Sequence, residues 1–305
     1  MSGSVFYDEN GNGVLDASEV VRLPGVTVSI GGKTAASATG GRFTVSDVPA
    51  GAQQASIGAG TLPAYFSAGP AASVTAPATG EVALPAVLPI AASMRRNVYL
   101  AFGDSISAGE GSTGSAGYRD VLATDLRAYW GRADVLNGGR SGTKSDVGAA
   151  KVWDDVAGYK PAYVLILYGT NDWNNGACRS DFPCYTIDNL RTMIRDTRAG
   201  GALPIVGTIP PVNPNYVDRQ AEDRNDWVKR MNALIKAMAA QERAPVADVH
   251  AAFSSQSSLP PLFSDFLHPN DEGYRVMSRA FFDAVTKPLA GSAQAAGLPL
   301  LLDRP

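Results

Sequence analysis

The stretch Val98-Tyr99-Leu100-Ala101-Phe102-Gly103-Asp104-Ser105-Ile106-Ser107-Ala108-Gly109 decides the fold class. A short apolar run stops at a glycine, and Tyr118, Val121, Leu122, Leu126 and Tyr129 then recur at helical spacing, so a buried strand feeds an amphipathic helix. The alternation continues downstream, with strands predicted at 134–137, 163–168, 204–208 and 245–249 and helices around 145–157, 186–199, 222–242 and 271–286. Val228, Met231, Leu234, Ile235 and Met238 give the helix at 222–242 an apolar face. Strands separated by helices call for a parallel sheet covered on both sides, a three-layer α/β arrangement. In such sheets the site lies beyond the carboxyl ends of the strands.

Those strand ends carry chemistry. Gly103-Asp104-Ser105 puts a serine in a tight strand-to-helix turn, where its hydroxyl is exposed, and a serine hydroxyl needs a base within hydrogen-bond reach to act as a nucleophile. The chain has only two histidines. His268 follows Asp265 by three residues in a polar loop that opens the last helix, an acid and base pair able to hold the ring through one nitrogen and leave the other free. His250 also has an aspartate nearby, Asp248, and strand alternation would put the two on one face, so spacing alone leaves this pair open. His268 is preferred because a loop-borne pair converges on Ser105 more freely. Acyl transfer further requires donors for the carbonyl oxygen. The Gly-rich turn Gly138-Gly139-Arg140-Ser141-Gly142 and the turn Gly169-Thr170-Asn171-Asp172 offer the Gly142 N–H and the Asn171 amide beside the Ser105 N–H. Taken singly, each piece has an ordinary explanation as a turn or a helix cap.

Gly103-Asp104-Ser105, Gly142 within 137–145, Gly169-Thr170-Asn171-Asp172 and Asp265-Phe266-Leu267-His268-Pro269 together resemble the four signature blocks of the SGNH (GDSL-type) hydrolases, in the family order. The resemblance covers roughly residues 96–287. It implies a three-layer α/β/α sandwich with a parallel sheet, Ser105, Asp265 and His268 as catalytic residues, an oxyanion hole of Ser105, Gly142 and Asn171, and no cofactor for catalysis. Arg140 and Lys144 depart from the family, where many members have neutral or acidic residues in the second block.

The first part of the chain reads differently. From Val5 to about Ile57, β-branched runs alternate with Gly, Asn and Asp clusters, which is strand-and-turn punctuation, and a small all-β sandwich is expected. Its opening loop has oxygen-bearing residues at Asp8, Asn10, Asn12, Asp16 and Glu19, glycine at Gly13 and a backbone carbonyl at Val14, the spacing of an EF-hand calcium loop. No helix enters it, and Pro24-Gly25 soon breaks any helix leaving it. The segment 3–57 resembles instead the B-type repeat domains of bacterial surface adhesins, prealbumin-like β-sandwiches, and this implies structural Ca²⁺ at Asp8, Asn10, Asn12, Val14, Asp16 and Glu19. The competing reading is an Asx-rich turn satisfied by its own backbone.

The expected organisation is therefore a β-sandwich at 1–60 or extending to about 90, last strands and an Ala/Pro-rich linker at 61–94, the hydrolase domain at 95–288 and a tail at 289–305. With 305 residues, 45% hydrophobic and 18% charged at a net charge of −3, nothing basic marks a nucleic-acid partner. No apolar run approaches the roughly 20 residues of a membrane span. Cys178 and Cys184, six apart in a polar loop, form either a disulfide suited to an oxidising compartment or two free thiols. Met1-Ser2-Gly3-Ser4 has no leader-like pattern, as would be true of a mature exported domain. A secreted or cell-surface bacterial location is expected. Three functions remain: an esterase on small acyl esters or acetylated carbohydrate, to which the Trp173, asparagines and Arg179 of the loop at 173–184 lend a polar border; a lipase-like enzyme on longer acyl chains; or a non-catalytic surface-binding protein.

Overall fold

The computed structural model describes residues 1–289, so most of the expected tail at 289–305 lies outside the described residues. Contacts divide the chain into two compact units, one built from 1–89 with 125–132 and the described residues after 285, the other from 90–124 with 133–285.

The first unit contains β1 (Ser2–Tyr7), β2 (Thr27–Ile30), β3 (Lys33–Ala36), β4 (Arg42–Thr44), β5 (Gly51–Ile57), β6 (Ser67–Ala68), β7 (Ala72–Ala76) and β8 (Val82–Val87). They form two four-stranded sheets, ordered β4-β1-β8-β6 and β3-β2-β5-β7. The low-charge segment 58–93 holds three of these strands rather than mainly a linker. One of them, β8, lies between β1 and β6, with Val82, Leu84 and Ala86 buried. Its alternation is muted because Ala and Pro occupy positions where β-branched residues would have announced a strand.

The second unit is built on a five-stranded, wholly parallel sheet: β9 (Arg95–Gly103), β10 (Asp134–Gly139), β11 (Pro161–Leu167), β12 (Leu203–Gly207) and β13 (Val246–Ala247), in the order β10-β9-β11-β12-β13. Every residue of β11 is buried, so both faces of the sheet are covered. The helices are α1 (Ser105–Ala108), α2 (Gly117–Trp130), α3 (Ser145–Tyr159), α4 (Gly176–Ser180), α5 (Thr186–Ala199), α6 (Ala221–Gln241), α7 (Val249–Ser254) and α8 (Asp271–Thr286). α2 meets α8 through the stacked rings of Tyr118 and Phe281, 4.8 Å apart, while α3, α5 and α6 pack in sequence as a second group. The α/β architecture expected from the alternating pattern is thus present. Among the described residues no helix is long and apolar enough to cross a membrane.

Two residues fix the turn between β9 and α1. Gly103 leaves no room for a side chain: a Cβ there would lie 2.4 Å from the Leu167 carbonyl oxygen and 2.3 Å from Ser107 Oγ. Asp104 is the N-cap of α1, its Oδ1 accepting from the Ile106 N–H at 2.9 Å. The carboxyl is fully buried, and burial pushes its pKa up from the ordinary 3.8 to about 7, against the Ile106 amide and the His268 charge, which lower it. A raised carboxyl pKa means that the native chain binds a proton that the unfolded chain has released between those two pH values. Stability contributed by Asp104 is therefore complete at acid pH and is lost as pH rises toward 7. One proton corresponds to a slope of about 1.4 kcal/mol per pH unit. Urea midpoints measured across this range should fall with pH in the wild type more than in D104N, which keeps the capping oxygen but does not titrate; parallel curves would refute the burial argument.

Candidate active site

Ser105, Asp265 and His268 come together. His268 Nε2 lies 3.0 Å from Ser105 Oγ, and its Nδ1 lies 2.8 Å from Asp265 Oδ2. The second Asp265 oxygen accepts from the backbone N–H groups of Leu267 and His268, each at 2.7 Å. Burial works to raise this carboxyl, but the hydrogen bonds from the ring and the two amides outweigh it and hold the pKa below the usual carboxylate range. Asp265 is therefore an anion, and an anion at Nδ1 keeps the proton on that nitrogen and the Nε2 lone pair toward the serine.

The three expected donors lie on three separate turns. Ser105 opens α1, so its N–H has no acceptor within the helix. Gly142 sits in the left-handed region at φ +73°, and its N–H meets no acceptor among the described residues. The Asn171 amide nitrogen donates to the Thr143 carbonyl at 2.9 Å and lies 3.4 Å from Asp104 Oδ2, so it spans from the Gly142 turn to the Ser105 turn. Asp172, next in sequence, is buried and accepts from the Ser145 N–H at 2.9 Å and the Thr186 hydroxyl at 2.7 Å, tying this turn to the starts of α3 and α5. Gly169, at φ +118°, permits the sharp exit from β11.

In the competing pair, no hydrogen bond joins the His250 ring to Asp248 among the described residues. His250 lies in α7 rather than on a strand, so strand alternation does not govern it, and its Nδ1 lies 3.4 Å from Ser254 Oγ. Asp248 caps that helix at Ala251 and pairs with Lys236 Nζ at 3.0 Å. The Arg140 charge is absorbed by a two-pronged pair with Asp155, both contacts at 2.7 Å. The loop at 173–184 is also more inward than its composition suggested. Trp173 is 8% exposed and packs edge-on to Trp227, Asn175 caps α4, and Cys178 and Cys184 form a disulfide.

Two residues at the site escaped the sequence reading. Arg224 is 3% exposed. Its guanidinium donates to the Thr170 carbonyl at 2.6 Å and to Asn174 Oδ1 at 3.1 Å and lies over the Phe266 ring, so it joins the Asn171 turn to the loop of Asp265 and His268. Burial lowers its pKa to about 10, with the Asp104 charge opposing. Its position four residues before Val228, on the apolar face of α6, was the available clue. Glu110 is the second: one carboxylate oxygen lies 3.2 Å from His268 Nε2.

In the first unit, the loop of Asp8 to Glu19 closes on itself. Both Asp8 oxygens accept backbone N–H groups from Gly11, Asn12 and Gly13, and both Glu19 oxygens do so from Glu9 and Asp16. The Asn10 and Asn12 side-chain oxygens accept from the Asn12 and Val14 amides, and their nitrogens donate to Asp16. Among the described residues no group of three or more His, Cys, Asp or Glu side chains is arranged to hold a metal.

The model of the GDSL-like lipase/acylhydrolase family matches residues 101–276. The esterase TesA of Pseudomonas aeruginosa is 33% identical over 144 residues, 47% of this chain and 66% of that protein, just under two thirds. The acetylxylan esterase of Geobacillus stearothermophilus is 28% identical over 207 residues, 60% of this chain and 90% of that protein. A crystal structure of the lipase/acylhydrolase from Enterococcus faecalis superposes with a TM-score of 0.54 at 24% identity, covering 65% of this chain and 100% of the other, a likeness of fold. Sheet, strand-end residues and family match agree, and the chain belongs to the GDSL-like lipase/acylhydrolase family of carboxylic ester hydrolases.

Proposed function

We propose that the protein hydrolyses short-chain acyl esters, acetyl esters of carbohydrates foremost, with Ser105 as nucleophile. The observation that carries this reading is the continuous chain from Asp265 through the His268 ring to Ser105 Oγ, at 2.8 and 3.0 Å. His268 Nε2 takes the Ser105 proton as Oγ forms a bond to the ester carbonyl carbon. The carbonyl oxygen becomes an oxyanion, for which the Ser105 and Gly142 N–H groups are donors, and the Asn171 amide joins them by exchanging its 3.4 Å contact to Asp104. Collapse breaks the bond to the leaving oxygen, which receives the proton from Nε2. Water then repeats the sequence on the acyl-enzyme with His268 again as base, releasing the acid and restoring Ser105. Asp265 remains an anion throughout and stabilises the imidazolium.

Acetylated carbohydrate is supported by the name of the acetylxylan esterase relative, most of whose length this chain spans. Longer acyl chains are the second reading, favoured by the lipase/acylhydrolase description of the family. S105A should lower turnover of a nitrophenyl acetate by at least about 1000-fold, and undiminished turnover would dismiss the nucleophile assignment. An acyl-chain series run with acetyl release from acetylated xylan should peak at acetate; a maximum at long chains would favour the second reading.

We further propose Ca²⁺ as a structural ion of the loop at Asp8, Asn10, Asn12, Val14, Asp16 and Glu19, and an extracellular setting, which the Cys178 to Cys184 disulfide suits. The donors are all oxygen, as a hard cation requires, and Asp8 and Glu19 are 4% and 2% exposed. Binding would recruit lone pairs that the backbone hydrogen bonds leave over. The melting temperature should fall when EDTA is added and recover with calcium, an effect absent from D8N; an unchanged value would leave the loop as a self-satisfied Asx turn.

A further inference from the structure

Glu110 has no part in the steps above, yet it is held against the atom through which they pass. Its backbone is fixed at both ends: the N–H donates to the Ser105 carbonyl at 3.0 Å, and the carbonyl accepts from the Tyr274 hydroxyl at 2.7 Å. The side chain then bridges two parts of the site. One oxygen lies 3.2 Å from His268 Nε2, and the other accepts from the Ser141 hydroxyl, next to Gly142. Among the described residues no lysine or arginine pairs with this carboxylate, while Arg140, next to Ser141 in sequence, is taken up by Asp155.

His268 Nε2 has one in-plane position for a hydrogen. That position faces Ser105 Oγ when the proton is taken and must face the leaving oxygen when it is given up. A group within 3.2 Å of Nε2 that is not Ser105 therefore borders the leaving group. A carboxylate accepts hydrogen bonds and attracts positive charge, so it favours alcohols that bring a donor or a cation beside the ester oxygen and disfavours anionic ones.

We propose that Glu110 is a specificity-determining residue of the leaving-group side, selecting esters of cationic or donor-bearing alcohols over apolar alcohols of the same shape. The proposal rests on Ser105 and His268 acting as described above, and the experiment separates the two. Acetylcholine and 3,3-dimethylbutyl acetate differ in the charge of an otherwise matching alcohol. The wild type should prefer acetylcholine in kcat/KM by about two- to five-fold, the range of an exposed ion pair. The preference should vanish in E110Q, persist in sign in E110D, and shrink at about 0.5 M salt. Inhibition of the wild-type protein by choline against 3,3-dimethylbutanol gives the same comparison without a variant, with choline expected to be the stronger. An equal ratio in wild type and E110Q, or choline no stronger than its neutral counterpart, overturns the Glu110 assignment. Turnover surviving in S105A would instead overturn the nucleophile reading.

Discussion

The two oxygens of Asp104 hold the turn that carries Ser105 in place. One caps α1 at Ile106 and the other lies 3.4 Å from the Asn171 amide. α1 has only four residues, too few to sustain a helix through its own hydrogen bonds. Its direction, and with it the aim of the Ser105 hydroxyl and N–H, comes from the cap at one end and the left-handed Gly109 at the other. Gly103 supplies the remaining constraint by letting β9 run against the Leu167 carbonyl without a side chain between them. Ser105 is thus placed by backbone geometry, with the His268 ring 3.0 Å from its Oγ.

Around that turn, charge is placed where it orients rather than where it stabilises. Among the described residues, Arg224 is buried with no carboxylate at hydrogen-bond distance, and its Nε has no hydrogen-bond partner. Such a group is costly to desolvate. Its return is geometric, since the Thr170 carbonyl, Asn174 and the Phe266 ring belong to the two loops that carry Asn171 and His268. The Arg140 and Asp155 pair anchors the Gly142 turn to α3 in the same manner. Fixed dipoles and rigid turns reduce the reorganisation required when charge develops on a reacting oxygen.

Much of this was legible in the sequence, for local reasons. The longer strands and helices of the second unit repeat a buried run followed by a 3.6-residue period, so their order could be read directly, whereas the short α1, α4 and α7 hold too few residues to show a period. Asp265 and His268 lie three residues apart on one loop, which makes their pairing a local property. What depends on long-range assembly was not legible. The Glu110 carboxylate meets His268 across 158 residues of chain, with its backbone held by the Ser105 carbonyl and by Tyr274 of α8. Arg224 looks like one more charge on a helix until its place on the apolar face is noticed. β8 escaped notice as a central strand because alanine and proline conceal its alternation, and the inward packing of Trp173 depends on Trp227, more than 50 residues away. The two cysteines announced a possible link, but only the folded loop joins them.

The central claim, that Ser105 Oγ carries the acyl group between substrate and water, has a direct test. The protein is mixed with a nitrophenyl ester, quenched in acid within the first turnovers, and weighed intact and after digestion by mass spectrometry. One added acyl group per chain is expected, located on Ser105 and absent from S105A. Turnover with no such adduct, or an acyl group on a different residue, would contradict it.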